Sequence, residues 1–252
     1  MTEFDHTSAE ESDHQNFLSH MLELRNRLLH AVVALLVVFL ILAPFANTLY
    51  EVFAAPLMRS LPEGSTMIST EPHGPFFVPF KFAFAVALLI TVPYLLYQVW
   101  AFIAPGLYTQ EKRLVAPLVL SSTLLFYFGV LFAYFVVFPI VFAFFTASAP
   151  DGVAVMTDIS AYMSFALKLF FAFGAAFEVP VATYLLARMG VVSADSMAEK
   201  RPYIIVGAFV VGMLFTPPDI FSQTLLAIPV WLLFELGLIF ARRVTPRESA
   251  AQ

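Results

Sequence analysis

The sequence predicts an all-α integral membrane protein of six kinked transmembrane helices with both termini cytoplasmic. Three observations carry that expectation. Apolar residues fill 60% of the 252 positions and charged residues only 12%, too few to cover the surface of a soluble fold. The mean hydropathy is accordingly high, at +0.85. Six apolar stretches (28–46, 76–105, 114–147, 161–187, 203–218 and 220–241) stand between polar segments, against the roughly 18 or more residues needed to cross a hydrocarbon core of about 30 Å. Finally, the Lys and Arg residues gather in every second gap between these stretches.

That alternation sets the orientation. One side holds Arg25, Arg27, Lys112, Arg113, Arg188, Lys200, Arg201, Arg242, Arg243 and Arg247, and the other holds Arg59 alone. Cations remain on the cytoplasmic side of short loops, so the richer side is cytoplasmic. An even number of spans places both termini there.

The chain opens on an acidic lead, Glu3, Asp5, Glu10, Glu11 and Asp13. This is the wrong flank for a secretory signal, and residues 1–16 are expected to be a disordered tail. Ser12 followed by Gln15 fits a capping box. Phe17, Leu18, Met21 and Leu22 then recur at helical spacing among Glu23, Arg25 and Arg27. That pattern predicts a short amphipathic helix along the cytoplasmic interface, running into the first span. Residues 17–241 form the working domain, and 242–252 a short cytoplasmic tail.

The outer loop 47–75 holds Pro56, Pro62, Gly64, Pro72, Gly74 and Pro75. Residues 54–58 in it suggest a short helix, and long ordered loops usually serve function. Stretch 114–147 is about 50 Å long as a helix, so it must tilt or bend, with Pro117 and Pro139 as bend points. Stretch 203–218 reaches only about 24 Å and ends at Thr216-Pro217-Pro218-Asp219. Nine of the 17 prolines lie in or beside apolar stretches. Each leaves a backbone carbonyl in need of another partner, which predicts kinked spans and a curved bundle.

Charges inside apolar stretches are costly and therefore informative. Lys81 is near the outer end of its stretch and can snorkel. Glu235 lies close to Arg242 and Arg243 in sequence and reads as structural. Lys168 reads as a structural charge that pairs with an acid across the bundle. Glu178 is the sharpest, deep in the fourth stretch and two residues before Pro180, among the small residues of 172–176. It is either a polar contact within a concave face or a structural acid bonded to a freed carbonyl. Asp219 suits a helix cap, and Gln223 sits polar near the outer surface. On the cytoplasmic side, Glu23 and Glu111 are carboxylates among basic segments. Each is an ordinary surface charge, or together they accept paired guanidinium groups by bidentate hydrogen bonds.

Much chemistry is excluded. There is no Cys, hence no disulfide or thiolate. No Walker A loop, His-Glu-x-x-His or Gly-x-Ser-x-Gly motif is present, and His6, His14, His20, His30 and His73 do not cluster. An enzyme, a metal site, a cofactor and a nucleic-acid partner are not expected.

Several stretches are long and unusual: HMLELRNRLL from His20, PYLLYQVWAFIAP from Pro93, FYFGVLFAYFVVFP from Phe126, AFGAAFEVP from Ala172 and KRPYIIVGAFVVGMLFTPPDIFSQ from Lys200. Through them the chain, over about 17–241, resembles the TatC family, the polytopic core subunits of bacterial twin-arginine protein translocases. The resemblance implies a curved, glove-like bundle of six helices in the bacterial inner membrane. It implies recognition of signal peptides bearing consecutive arginines, and transport of folded proteins with TatA- and TatB-type single-span partners. Transport would draw on the proton-motive force, within an oligomeric complex in membrane lipid. For signal-peptide binding it points to Glu23, Arg25, Arg27, Phe102, Pro105 and Glu111. Glu178 matches the family's intramembrane acid, Pro56 its outer-loop proline and Asp219 the acid before the last span. The resemblance assigns no family role to Lys168.

Two rival readings stand beside it. A secondary transporter would use Glu178 and Lys168 as a coupling site, although no repeat relates the two halves. An assembly scaffold would lack a recognition site of its own.

Overall fold

The computed structural model describes residues 4–58, 68–103, 115–148, 158–215 and 220–243. Side chains are described from residue 19 onward within those ranges, except 53–58 and 146. The chain is helical: α1 Phe4–Leu42, α2 Ala46–Met58, α3 Gly74–Ile103, α4 Val115–Phe132, α5 Phe138–Ala147, α6 Ile159–Ala176, α7 Val179–Arg188, α8 Ala194–Glu199, α9 Arg201–Phe215 and α10 Ile220–Arg242. Among the described residues β pairing is confined to one isolated parallel bridge, Ile68 with Asp158.

Among the described residues, five segments are long and apolar enough to cross a membrane: Ser19–Val52, Gly74–Ile103, Val115–Phe145, Ile159–Arg188 and Ile220–Arg242. The remaining expected span is α9, a shorter apolar helix of 15 residues.

The first helix differs from expectation. It starts at Phe4 and runs unbroken to Leu42. It therefore takes in residues 4–16, expected as a disordered tail, and it joins the amphipathic stretch to the span without a break. No Gly or Pro interrupts residues 4–42. Asp5 also stands in the first turn of α1, at the helix end that carries positive partial charge. Only Pro44 ends the run, in a tight 3₁₀ turn over Ala43–Phe45, and α2 follows at once. The short helix expected at 54–58 is the end of α2.

Prolines shape the other spans in the way their missing N–H dictates. Pro93 lies inside α3 and cannot donate to the carbonyl of Leu89 four residues back. The hydroxyl of Tyr127 on α4 donates to that carbonyl at 2.8 Å instead. Ahead of Pro139 the chain widens into a π segment, Ala133–Val137, where the N–H of Phe138 bonds back to the carbonyl of Ala133. The long third stretch thus bends at a π segment rather than at a proline alone. In the fourth stretch α6 ends at Ala176 and α7 restarts at Val179, with Pro180 in its first turn and Glu178 at its cap.

Between helices in a membrane, association rests on close packing rather than on water exclusion. A Cβ at Gly129 would lie 2.6 Å from the carbonyl oxygen of Phe173, and one at Gly174 would lie 2.7 Å from the Phe126 ring. Each glycine therefore lets α4 and α6 approach. Around that crossing Phe132, Phe138, Tyr162, Phe170, Phe173 and Phe177 build the main core. A second core joins Trp100 of α3 to Val181 and Leu185 of α7. The α1 helix packs along α3 and leaves most of its own surface exposed.

Candidate functional site

The polar residues singled out near the start of α1 meet the end of α3. His20 stacks on Phe102, ring centroids 4.3 Å apart and planes 20° from parallel. Two turns further, Arg27 donates through Nε and Nη2 to Oε1 of Glu23, at 2.9 and 2.6 Å. Its Nη1 reaches across to Oε1 of Gln98 on α3 at 3.3 Å. Glu23 and Arg27 are four residues apart, the spacing that sets an acid and a base on one helix face. Arg25 points elsewhere and donates to Oδ1 of Asn26 at 3.3 Å.

Glu23, Arg27 and Gln98 line an open groove of about 610 Å³, together with Ser19, Leu22, Asn26, His30, Tyr94 and Tyr97. Tyr94 and Tyr97 are exposed in it. The groove offers one carboxylate, paired with Arg27 in its wall, together with neutral acceptors and aromatic faces. That is a set suited to planar cations and to a peptide backbone. Phe102 stands at its end through His20. Pro105, Glu111 and Asp219 lie outside the described residues, and Pro56 lies on α2 without a described side chain.

The intramembrane acid has different surroundings. Both carboxylate oxygens of Glu178 are buried and without a hydrogen bond of good geometry. The Ser122 hydroxyl faces them from α4. Ser122 is fully buried and accepts a hydrogen bond from Nε1 of Trp100 at 3.0 Å. The structure thus sets Glu178 against Ser122 of α4, which is itself held by Trp100 of α3. It does not bring Lys168 there: Lys168 is exposed and forms no ion pair with an acid among the described residues. The cross-bundle ion pair expected for Lys168 is therefore corrected, because its position on α6 faces outward. With no Glu178–Lys168 pair, the transporter reading loses its coupling site.

Lys81 donates to Ser164 on α6 at 3.0 Å. Gln223 packs its stem against Gly212, where α9 meets α10. Glu235 takes a bidentate contact from Arg201, Nε to Oε1 at 2.5 Å and Nη2 to Oε2 at 2.9 Å. Its bonded partner is therefore Arg201 rather than Arg242 or Arg243. Arg242 reaches Asp195 instead, at 3.9 Å.

Sequence reasoning passed over Gln98, Tyr94, Tyr97, Trp100 and Ser122. Gln98 carried a usable signal, since an amide inside an apolar stretch needs a partner. The tyrosines and Trp100 carried none, because aromatic residues are common throughout membrane spans.

The model of the family described as Sec-independent protein translocase protein (TatC) matches residues 19–229. The Sec-independent protein translocase protein TatC of Escherichia coli K12 is 57% identical over 230 residues, covering 91% of this chain and 89% of that protein. The protein of the same name from Haemophilus influenzae is 57% identical over 235 residues, covering 93% and 92%. Among solved structures, the crystal structure of the twin-arginine translocase receptor TatC superposes with a TM-score of 0.80 at 41% identity, over 88% of this chain and 98% of that one. With half the sequence shared across nearly all its length and the same helical fold, the chain belongs to the TatC family of Sec-independent protein translocases.

Proposed function

We propose that this chain is the subunit of a twin-arginine translocation system that receives the signal peptide. It works in the bacterial inner membrane with both termini cytoplasmic and with residues 17–241 as the working domain. In this reading TatA- and TatB-type partners join it in an oligomeric complex, which carries folded proteins across on the proton-motive force.

The observation that supports it is the groove between α1 and α3. Its carboxylate, Glu23, faces a polar, aromatic-walled opening, and a carboxylate there accepts an incoming guanidinium by charge-assisted hydrogen bonds. Glu111 and Pro105 follow the end of α3 by sequence, and Glu111 would offer the second carboxylate for a second arginine. The ten-to-one cation count of the loops supports placing this end in the cytoplasm. Glu178, with its two buried oxygens lacking well-formed hydrogen bonds, suits a polar contact with an inserted segment. Gln223 stands near the start of α10, at the opposite end of the bundle, and Asp219 precedes α10 in sequence.

The test is direct binding of a fluorescent twin-arginine peptide to the purified chain in lipid nanodiscs. Glu23→Gln and Glu111→Gln should each weaken binding about tenfold, the scale of a hydrogen-bonded charge pair at a partly exposed site. Unchanged affinity in both variants would overturn the assignment.

A further inference from the structure

Two lysines face outward along the seam between α3 and α6. Lys81 on α3 is exposed, and so are Phe77 and Phe84, one turn to either side of it. Across the seam its Nζ donates to the Ser164 hydroxyl on α6 at 3.0 Å. That hydroxyl donates onward to the Ser160 carbonyl at 2.6 Å. Lys168 is exposed as well and stands four residues beyond Ser164, on the same face of α6. Side chains on a helix lean toward its N-terminus and cover the preceding turn. The stem of Lys168 is thereby directed toward Ser164, where Lys81 already is.

Among the described residues neither lysine pairs with a carboxylate. Two acids at the same end are engaged elsewhere. Asp158 takes the N–H of Ala161 and both donors of Thr70, and Glu71 faces His73 at 3.1 Å. A cation on a lipid-facing surface must reach water or an anion.

We propose that Lys81 and Lys168, with Ser164 bracing Lys81, hold the phosphate of an anionic lipid at the α3–α6 seam. Depth favours a lipid phosphate over an acid on a partner helix. The α3 helix and the α6–α7 span each run 30 residues, about 45 Å against a hydrocarbon core of about 30 Å. Shared evenly, the excess leaves about 7 Å of each beyond the core at either end. Lys81 is seven residues past Gly74 and Lys168 nine past Ile159, about 10 and 14 Å along their helices. Both therefore start only a little inside the hydrocarbon edge, and their stems reach the headgroup layer. Phosphates occupy that layer by default, whereas a partner's carboxylate would have to be carried into it at a cost. Lys81 keeps two N–H donors after its bond to Ser164, and Lys168 brings three. Together they can take phosphate oxygens from two sides. The contacts alone place the site, and the reading of cytoplasmic termini serves only to assign it to the outer leaflet.

The experiment places the full chain in nanodiscs with a phosphatidylglycerol that is photoactivatable in its headgroup, and maps crosslinks by peptide mass spectrometry. Segments 77–84 and 161–168 should be labelled, at least about fivefold more than by a phosphatidylcholine of the same design. This comparison needs no variant. Lys81→Gln and Lys168→Gln should each cut the labelling about fivefold. Labelling around Lys200 and Arg243, at the other end of the bundle, should stay level in both and report an intact fold. Excess inorganic phosphate should not compete. Displacement by it would overturn the lipid as occupant in favour of a soluble anion. Equal labelling by the two lipids, or labelling that survives when both lysines are replaced by Gln, would overturn the anionic site and leave this face to a carboxylate-bearing partner helix.

Discussion

Trp100 and Ser122 are joined by a hydrogen bond with no access to solvent, the indole Nε1 donating to the serine Oγ at 3.0 Å. Because Ser122 accepts there, its single proton is free to turn toward Glu178, which it faces. The bond thus orients a donor on α4 toward the one acid deep in the fourth span.

This arrangement predicts strong coupling between the two residues. Ser122→Ala leaves the Trp100 N–H buried without an acceptor, at a cost of about 1–3 kcal/mol. Trp100→Phe removes that donor, so the double variant should lose less stability than the two single variants combined, by about 1 kcal/mol. Thermal unfolding of the four proteins in one detergent reads the cycle. Strict additivity would show that the indole and the hydroxyl act independently. Export should fall in Ser122→Ala while the protein still accumulates in the membrane, if the hydroxyl positions Glu178.

Tyr127 makes a second prediction through the backbone. Its hydroxyl donates to the carbonyl of Leu89, the acceptor that Pro93 cannot serve. Tyr127→Phe should destabilise the protein by about 1–2 kcal/mol, since a carbonyl in an apolar span is left unpaired. Pro93→Ala restores an N–H to that turn. It should recover most of the loss in the Tyr127→Phe background. If Pro93→Ala adds a further loss of similar size instead, the tyrosine is not serving the orphaned carbonyl.

The order of helices was legible because apolar runs and prolines punctuate this chain sharply. Pro44, Pro139 and Pro180 each stand where a helix ends, widens or restarts. The continuity of α1 was not legible, because charge density in the lead argues for solvation while the absence of Gly and Pro argues for helix. The site was half legible. Glu23 and Phe102 stood out by type and by family likeness, whereas Gln98 joins them only because α1 lies along α3. The partner of Glu235 was not legible for a related reason. Arg242 is its neighbour on one helix, but Arg201 comes from the start of a different helix, and its planar fork fits the carboxylate.

That fork gives a third prediction. Arg201 and Glu235 tie the short helix α9 to α10 at one end, with side chains 40% and 26% exposed. Partial exposure screens the pair, so Glu235→Gln should cost only about 1 kcal/mol. Arg201→Lys should also weaken the tie, because an ammonium cannot make both contacts. The exchange variant carrying Arg201→Glu and Glu235→Arg should recover part of the stability. Recovery in that variant, measured by thermal unfolding against each single variant, separates the pairing from a mere need for charge. No recovery would mean the contact adds nothing to holding α9.

At the opposite end of the bundle Asp158 closes the start of α6. Its Oδ1 accepts from the N–H of Ala161, and its Oδ2 accepts from both the N–H and the hydroxyl of Thr70, all at 2.8 Å. It therefore caps α6 and also pins the segment around Ile68, which bonds the N–H of Ile159 at 3.0 Å. The N–H of Thr70, followed by that of Ala161 and the Thr70 hydroxyl, holds the Asp158 carboxyl down from 3.8 to about 2. A lowered carboxylate pKa stabilises the fold above its unfolded value, and that contribution disappears as pH falls through the folded one. The stabilisation from Asp158 should therefore be constant from neutral pH down to about 4, and vanish between about 4 and 2. Asp158→Asn keeps the shape but not the charge. Its stability deficit against wild type should be level above that window and close within it. A deficit that persists unchanged near pH 2 would show that the loss comes from the altered cap geometry and not from the carboxylate charge. Limited proteolysis of the 68–70 segment in both proteins, read at neutral pH, should show earlier cleavage in Asp158→Ala, where cap and tie are both removed.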